Sequence, residues 1–202
     1  LILLAQAIFL RSILIMKLNT PTILTLLRIL TIPVGVLIYY LPFGWAHPVA
    51  AICVFIGGGL DFLDGYLARK WDQGTKFGAF LDPVADKLAV ATSFVVIASY
   101  YSSILITVAS IIIICREILI SSLREWMAEI GKRASIKVHM IGKIKTLLQG
   151  LAILFLVWFN PGSDRWIFIA GCLCLLAAVV LTLWSMIFYI KQSWGELTSD
   201  MT

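Results

Sequence analysis

Asp61-Phe-Leu-Asp64-Gly65-Tyr-Leu-Ala68-Arg69, followed by Gly78-Ala-Phe-Leu-Asp82-Pro-Val-Ala-Asp86, sets four carboxylates in an otherwise apolar stretch. On a helix, offsets of three and four return to one face, so Asp61 pairs with Asp64 and Asp82 with Asp86. Ionisable side chains in or beside a hydrocarbon-spanning helix are costly unless compensated, and they mark function. Four converging acids repel one another unless some are protonated or a cation intervenes. Hard divalent ions such as Mg²⁺ or Mn²⁺ remove that conflict and favour oxygen ligands. The spacing points to chemistry on a phosphate at a membrane edge.

Working outward, the 202 residues are 61% hydrophobic and 13% charged, whereas a soluble domain gives about a quarter of its residues to charge. A membrane span needs roughly 20 apolar residues to cross about 30 Å of hydrocarbon. Six runs are expected to do so, near 23–41, 48–67, 81–99, 103–123, 142–160 and 166–190. The fold class expected is an all-α integral membrane protein with six transmembrane helices. Leu81-Asp82-Pro83 reads as a helix start, with Pro tolerated in the first turn and Asp able to cap free amides. Residues 1–16 are expected to be an N-terminal extension or peripheral segment, 17–190 the six-helix domain and 191–202 a cytoplasmic tail.

Charge gives the orientation. The connections near 41–48 and 99–103 have no Lys or Arg, and the one near 160–165 has only Arg165. The other ends carry Lys17, Arg28, Arg69, Lys70, Lys76 and Lys87, then the basic residues from Arg124 to Lys145. The positive-inside rule places both termini and the acids on the cytoplasmic face. A formal charge of +5 suggests anionic lipid and phosphate partners, and no separate polar domain exists to bind nucleic acid. Cys53, Cys115, Cys172 and Cys174 lie in apolar runs and read as small hydrophobes. His47 and His139 belong to opposite sides and make no pair.

Asp61, Asp64, Gly65, Ala68 and Arg69 share one helical stripe. Gly65 and Ala68 leave room for a bulky group, or for close helix packing. Arg69 either snorkels to the interface or grips a phosphate with its fork of donors. Arg116 and Lys143 stand nearest the depth of the acids and are candidates for a phosphate-bearing acceptor, with Arg124 a weaker one. Glu117 either orients one of these bases or forms a structural ion pair. Lys132, Arg133 and Lys137 read as a basic collar on anionic lipid.

Every fixed position of D-x-x-D-G-x-x-A-R-x8-G-x-x-x-D-x-x-x-D is present from Asp61 to Asp86, so the array resembles the CDP-alcohol phosphatidyltransferase signature. Three further stretches resemble the bacterial subgroup that uses glycerol 3-phosphate: Asn19 to Arg28, Arg116 to Trp126, and Gly142-Lys143-Ile-Lys145-Thr146. Thr22 departs from that subgroup, which commonly has Asn there. The resemblance implies the CDP-alcohol phosphatidyltransferase fold: a homodimer of six-helix protomers in the bacterial inner membrane, its cavity open to the cytoplasm and to lipid. It implies two divalent ions, Mg²⁺ or Mn²⁺, on Asp61, Asp64, Asp82 and Asp86. Gly65, Ala68, Arg69 and Gly78 would bind CDP-diacylglycerol, and Asp86 would be the base for the acceptor hydroxyl. The reaction implied gives phosphatidylglycerophosphate and CMP from CDP-diacylglycerol and sn-glycerol 3-phosphate. A related transferase with another acceptor, such as inositol phosphate, is the nearest alternative. A membrane transporter is the alternative from another class, disfavoured by the lack of obvious inverted halves.

Overall fold

The computed structural model describes residues 20–70, 76–131, 140–160 and 165–199, with positions 20–21, 61–69, 76, 79, 140–141, 143 and 195–199 described by backbone alone. The expected extension at 1–16 and the collar residues Lys132, Arg133 and Lys137 lie outside the described residues. Six helices follow in order: α1 Thr20–Tyr39, α2 Ala46–Lys70, α3 Lys76–Tyr101, α4 Ile104–Glu129, α5 Met140–Trp158 and α6 Arg165–Ser199. Each expected apolar run is a helix, and no strand occurs among the described residues.

Several helices outrun their apolar stretch, notably α2 to Lys70, α4 to Glu129 and α6 to Ser199. A helix satisfies its own backbone polar groups, so leaving hydrocarbon gives it no cause to unwind. Beyond α4 the stop comes at Gly131, whose φ of 75° lies in the left-handed region that glycine enters without a Cβ clash. One expectation is corrected here. α3 begins at Lys76, so Asp82 does not cap it and Pro83 lies inside the helix. Pro83 removes one internal hydrogen bond, as Pro33 does in α1; membrane helices tolerate this where neighbours satisfy the freed carbonyl.

Among the described residues, three helices are long and apolar enough to cross a membrane, over Thr22–Tyr39, Ile104–Glu129 and Arg165–Trp194. Two shorter apolar segments are Ala46–Leu60 and Ile144–Trp158. α3 carries Asp82, Asp86 and Lys87, which dilute its apolar content. Large apolar side chains such as Leu37, Phe55, Ile104 and Trp166 stay exposed, a surface suited to lipid.

α1 packs on α2 and α3, α5 on α2, α3 and α6, and α4 on α3 and α6. Fully buried Phe94, Ile97, Ile113, Leu156 and Leu175 anchor a core away from the acids. At the α5–α6 contact a Cβ on Gly171 would stand 2.9 Å from Leu156, so that approach needs a residue without one. The far end is aromatic. Tyr39 packs against Tyr100 and His47, with ring centroids 5.3 and 4.5 Å away. Tyr101 donates from its hydroxyl to the Leu156 carbonyl at 2.8 Å.

Candidate active site

Thr22, Thr25 and Arg28 recur every three residues along α1 and are all buried. The Arg28 guanidinium pairs through Nη2 with Asp86 Oδ1 and lies 3.6 Å through Nη1 from Asp82 Oδ1. The four-residue offset on α3 puts both carboxylates within reach of one planar fork. Arg28 is only 5% exposed, whereas the Asp82 and Asp86 side chains are 45% and 56% exposed. The cation is hidden behind the acids it holds. Sequence reasoning gave Arg28 no place in the site. The available signal was a lone cation eight residues into the first helix, three after Thr25.

α2 is unbroken through 61–69, so Asp61, Asp64, Gly65, Ala68 and Arg69 keep the offsets that put them on one stripe. Their side chains, and that of Lys143, lie outside the described ones. Gly78 falls in the first turn of α3. Among the described residues no group of three or more His, Cys, Asp or Glu could hold a metal. Asp82 and Asp86 nevertheless offer partly exposed carboxylate oxygens, the donor type a hard divalent ion takes.

From the Arg28–Asp86 pair a trench of about 790 Å³ runs between α1, α2, α3 and α5. Thr146 shares its polar end, while Tyr39 and Val157 line it too, eleven residues further along their helices. Between those ends the walls are mainly apolar, with Ile32, Val36, Val54, Val90 and Leu151. The walls of α1 and α2 meet at ordinary contact distance beside two glycines. A Cβ on Gly57 would lie 3.4 Å from Thr31 Oγ1, and one on Gly35 3.5 Å from the Cβ of Cys53.

A second charged group lies among α4, α5 and α6. Glu117 accepts from Lys145 Nζ and, at 3.3 Å, from Arg116 Nη1. Arg116 Nη2 donates to Ser185 Oγ at 2.8 Å, and Arg124 Nη2 to the Tyr189 hydroxyl at 2.8 Å. Both guanidinium groups lie over the Tyr189 ring, at 5.8 and 5.1 Å from its centroid. Glu117 thus holds Arg116 and Lys145 together. Lys145 is buried here, a position its sequence spacing did not single out. Lys87 Nζ donates to Ser121 Oγ and links α3 to α4.

The likeness to known proteins is extensive. The family model for CDP-alcohol phosphatidyltransferase matches residues 18–189. CDP-diacylglycerol–glycerol-3-phosphate 3-phosphatidyltransferase of Salmonella paratyphi A is 48% identical over 182 residues, covering 90% of this chain and 98% of the relative. The protein of that name from Yersinia pseudotuberculosis serotype I is 50% identical over 182 residues, with the same coverage. With a family match reaching from the start of α1 into α6, and near-complete coverage of these relatives, the chain belongs to the CDP-alcohol phosphatidyltransferase family.

Proposed function

We propose that this chain transfers the phosphatidyl group of CDP-diacylglycerol to sn-glycerol 3-phosphate, releasing CMP. The observation that carries this reading is the junction of two environments. Acids held by a buried arginine open directly into an apolar trench. An amphiphilic donor with a diphosphate on one side and an acyl chain on the other fits such a junction. The names of the relatives supply the acceptor and the direction of transfer.

In this reading the acceptor hydroxyl oxygen attacks the phosphorus that bears diacylglycerol. The new P–O bond forms as the bond to CMP breaks, and the hydroxyl proton passes to Asp86. Arg28 occupies one oxygen of Asp86 and fixes its rotamer, leaving the rest of the carboxyl exposed to the acceptor. Asp61, Asp64, Asp82 and Asp86 would hold Mg²⁺ or Mn²⁺. When bound, such ions supply charge neutralisation at the diphosphate and the departing CMP. Gly65, Ala68, Arg69 and Gly78 form the surface for the CDP portion. Arg116 and Lys143, with Arg124, attract the phosphate of the acceptor; Glu117 positions Arg116.

The same reading has all six helices crossing a bacterial inner membrane, both termini and the acids at the cytoplasmic face, and two protomers associating as a homodimer. The one-sided basic residues support the orientation. The deciding experiment compares acceptors side by side with purified protein in lipid. Glycerol 3-phosphate should yield CMP and phosphatidylglycerophosphate, chelation should stop the reaction and Mg²⁺ should restore it. Equal turnover with inositol phosphate would remove the acceptor assignment, and transport of an ion without CMP release would remove the enzyme.

A further inference from the structure

The proposed reaction says that a diacyl donor reaches the acids, but not which donors are accepted. The trench bears on that question. Along α1 its lining residues Arg28, Thr31, Ile32, Gly35, Val36 and Tyr39 recur at helical spacing, so one stripe runs from a charge to an aromatic ring. Eleven residues separate the two ends, which is about 16 Å along a helix. A bilayer's hydrocarbon core is about 30 Å thick and is filled by two leaflets, so one acyl chain spans about 15 Å. The two lengths match.

The end at Tyr39 is built to stay in place. Tyr39 is 3% exposed and wedged edge-on against Tyr40, His47 and Tyr100, with centroid separations of 5.6, 4.5 and 5.3 Å. His47 is itself buried and hydrogen-bonded to the backbone of Val157, which lines the opposite wall at the same end. The Tyr39 hydroxyl has no hydrogen-bond partner among the described residues, so the ring's shape, rather than a polar contact, is what the trench uses. Resting on the proposed reaction, we propose that Tyr39 is a specificity-determining residue, the floor that limits the length of the donor's acyl chain in the trench. The other chain of the donor stays in the surrounding lipid.

The test uses full-length protein in mixed micelles and CDP-diacylglycerols carrying paired hexanoyl, myristoyl, palmitoyl, stearoyl or arachidoyl chains. Wild-type kcat/KM should fall between the palmitoyl and arachidoyl donors. Tyr39→Ala should raise the arachidoyl-to-myristoyl ratio by at least about 10-fold, the size expected when a pocket gains room for apolar groups. Tyr39→Phe should keep the wild-type ratio. Gly150→Leu provides an independent variant. Gly150 lines the trench, and a Cβ there would meet nothing within 4 Å, so a leucine side chain starts in open space and narrows the channel. It should spare the hexanoyl donor and depress the palmitoyl donor at least about 10-fold. A flat wild-type profile overturns the floor, as does an unchanged ratio in Tyr39→Ala. Equal loss across all donors in Gly150→Leu also overturns it, and that variant decides alone if Tyr39→Ala does not fold. CMP release by wild type with any donor upholds the reaction even where the floor fails; no release from any donor sinks both.

Discussion

The two charged groups of this protein are built in opposite ways. At Arg28 one buried cation serves two acids that remain about half exposed. At Glu117 one acid serves two buried cations, and hydrogen bonds to Ser185 and Tyr189 secure Arg116 and Arg124 from α6. The first arrangement hides the counter-charge and presents carboxylate oxygens. The second encloses its charges and joins three helices. The exposed acids are therefore expected to govern turnover, and the enclosed one to govern stability and the placement of its cations.

The strongest way to break that contrast is at Asp86. Asp86→Asn should lower turnover about 10²–10⁴-fold, the usual contribution of proton transfer by a positioned group. Its thermal midpoint in detergent should fall less than that of Glu117→Gln, because Asp82 remains beside Arg28. Near-normal turnover in folded protein at saturating Mg²⁺ would end the assignment of Asp86 as base. Glu117→Gln should do the reverse. It keeps the shape but leaves Arg116 and Lys145 buried without their acid, and breaking a buried pair commonly costs about 3–5 kcal/mol. Denaturant unfolding measures this, and a stability loss as small as that of Asp86→Asn would erase the distinction.

Arg116 tests whether the enclosed group also serves the acceptor. Arg116→Ala should raise the KM for glycerol 3-phosphate more than that for CDP-diacylglycerol. Losing one charge-assisted hydrogen bond of about 1.5–3 kcal/mol corresponds to roughly 10–150-fold in affinity. An equal shift in both constants would make Arg116 a structural residue alone. The smallest effect belongs to Tyr189→Phe, which removes the acceptor hydroxyl for Arg124 but keeps the ring. A loss of about 0.5–1.5 kcal/mol is expected, and no change in the unfolding midpoint would show that the Arg124 hydrogen bond contributes nothing.

Much of the fold was legible because apolar runs announce helices and acids at offsets of three and four announce a face. Arg28 was not legible as a site residue, because spacing reports which face a side chain shares, never which helix lies opposite. Lys145 was not legible as the partner of Glu117 for the same reason: only the position of α4 decides which side chain of α5 meets that acid. Pro83 misled for another reason. Proline suits a first turn, yet a membrane bundle can satisfy the carbonyl it frees, and α3 starts seven residues before it. The trench was not legible at all, because its lining comes from four helices at once.

Only Ser102 and Ser103 join α3 to α4, and Ser102 takes a φ of 46°. That joint has consequences for how the protein enters its membrane. Among the described residues α3 is not one of the helices long and apolar enough to cross a membrane, while an 18-residue stretch of α4 reaches a mean hydropathy of 2.3. In the proposed six-span arrangement, two residues of slack tie α3 to α4, so the pair enters as one hairpin. In that arrangement the more apolar helix carries in the one that bears Asp82 and Asp86, and the proposed chemistry depends on its neighbour's oiliness.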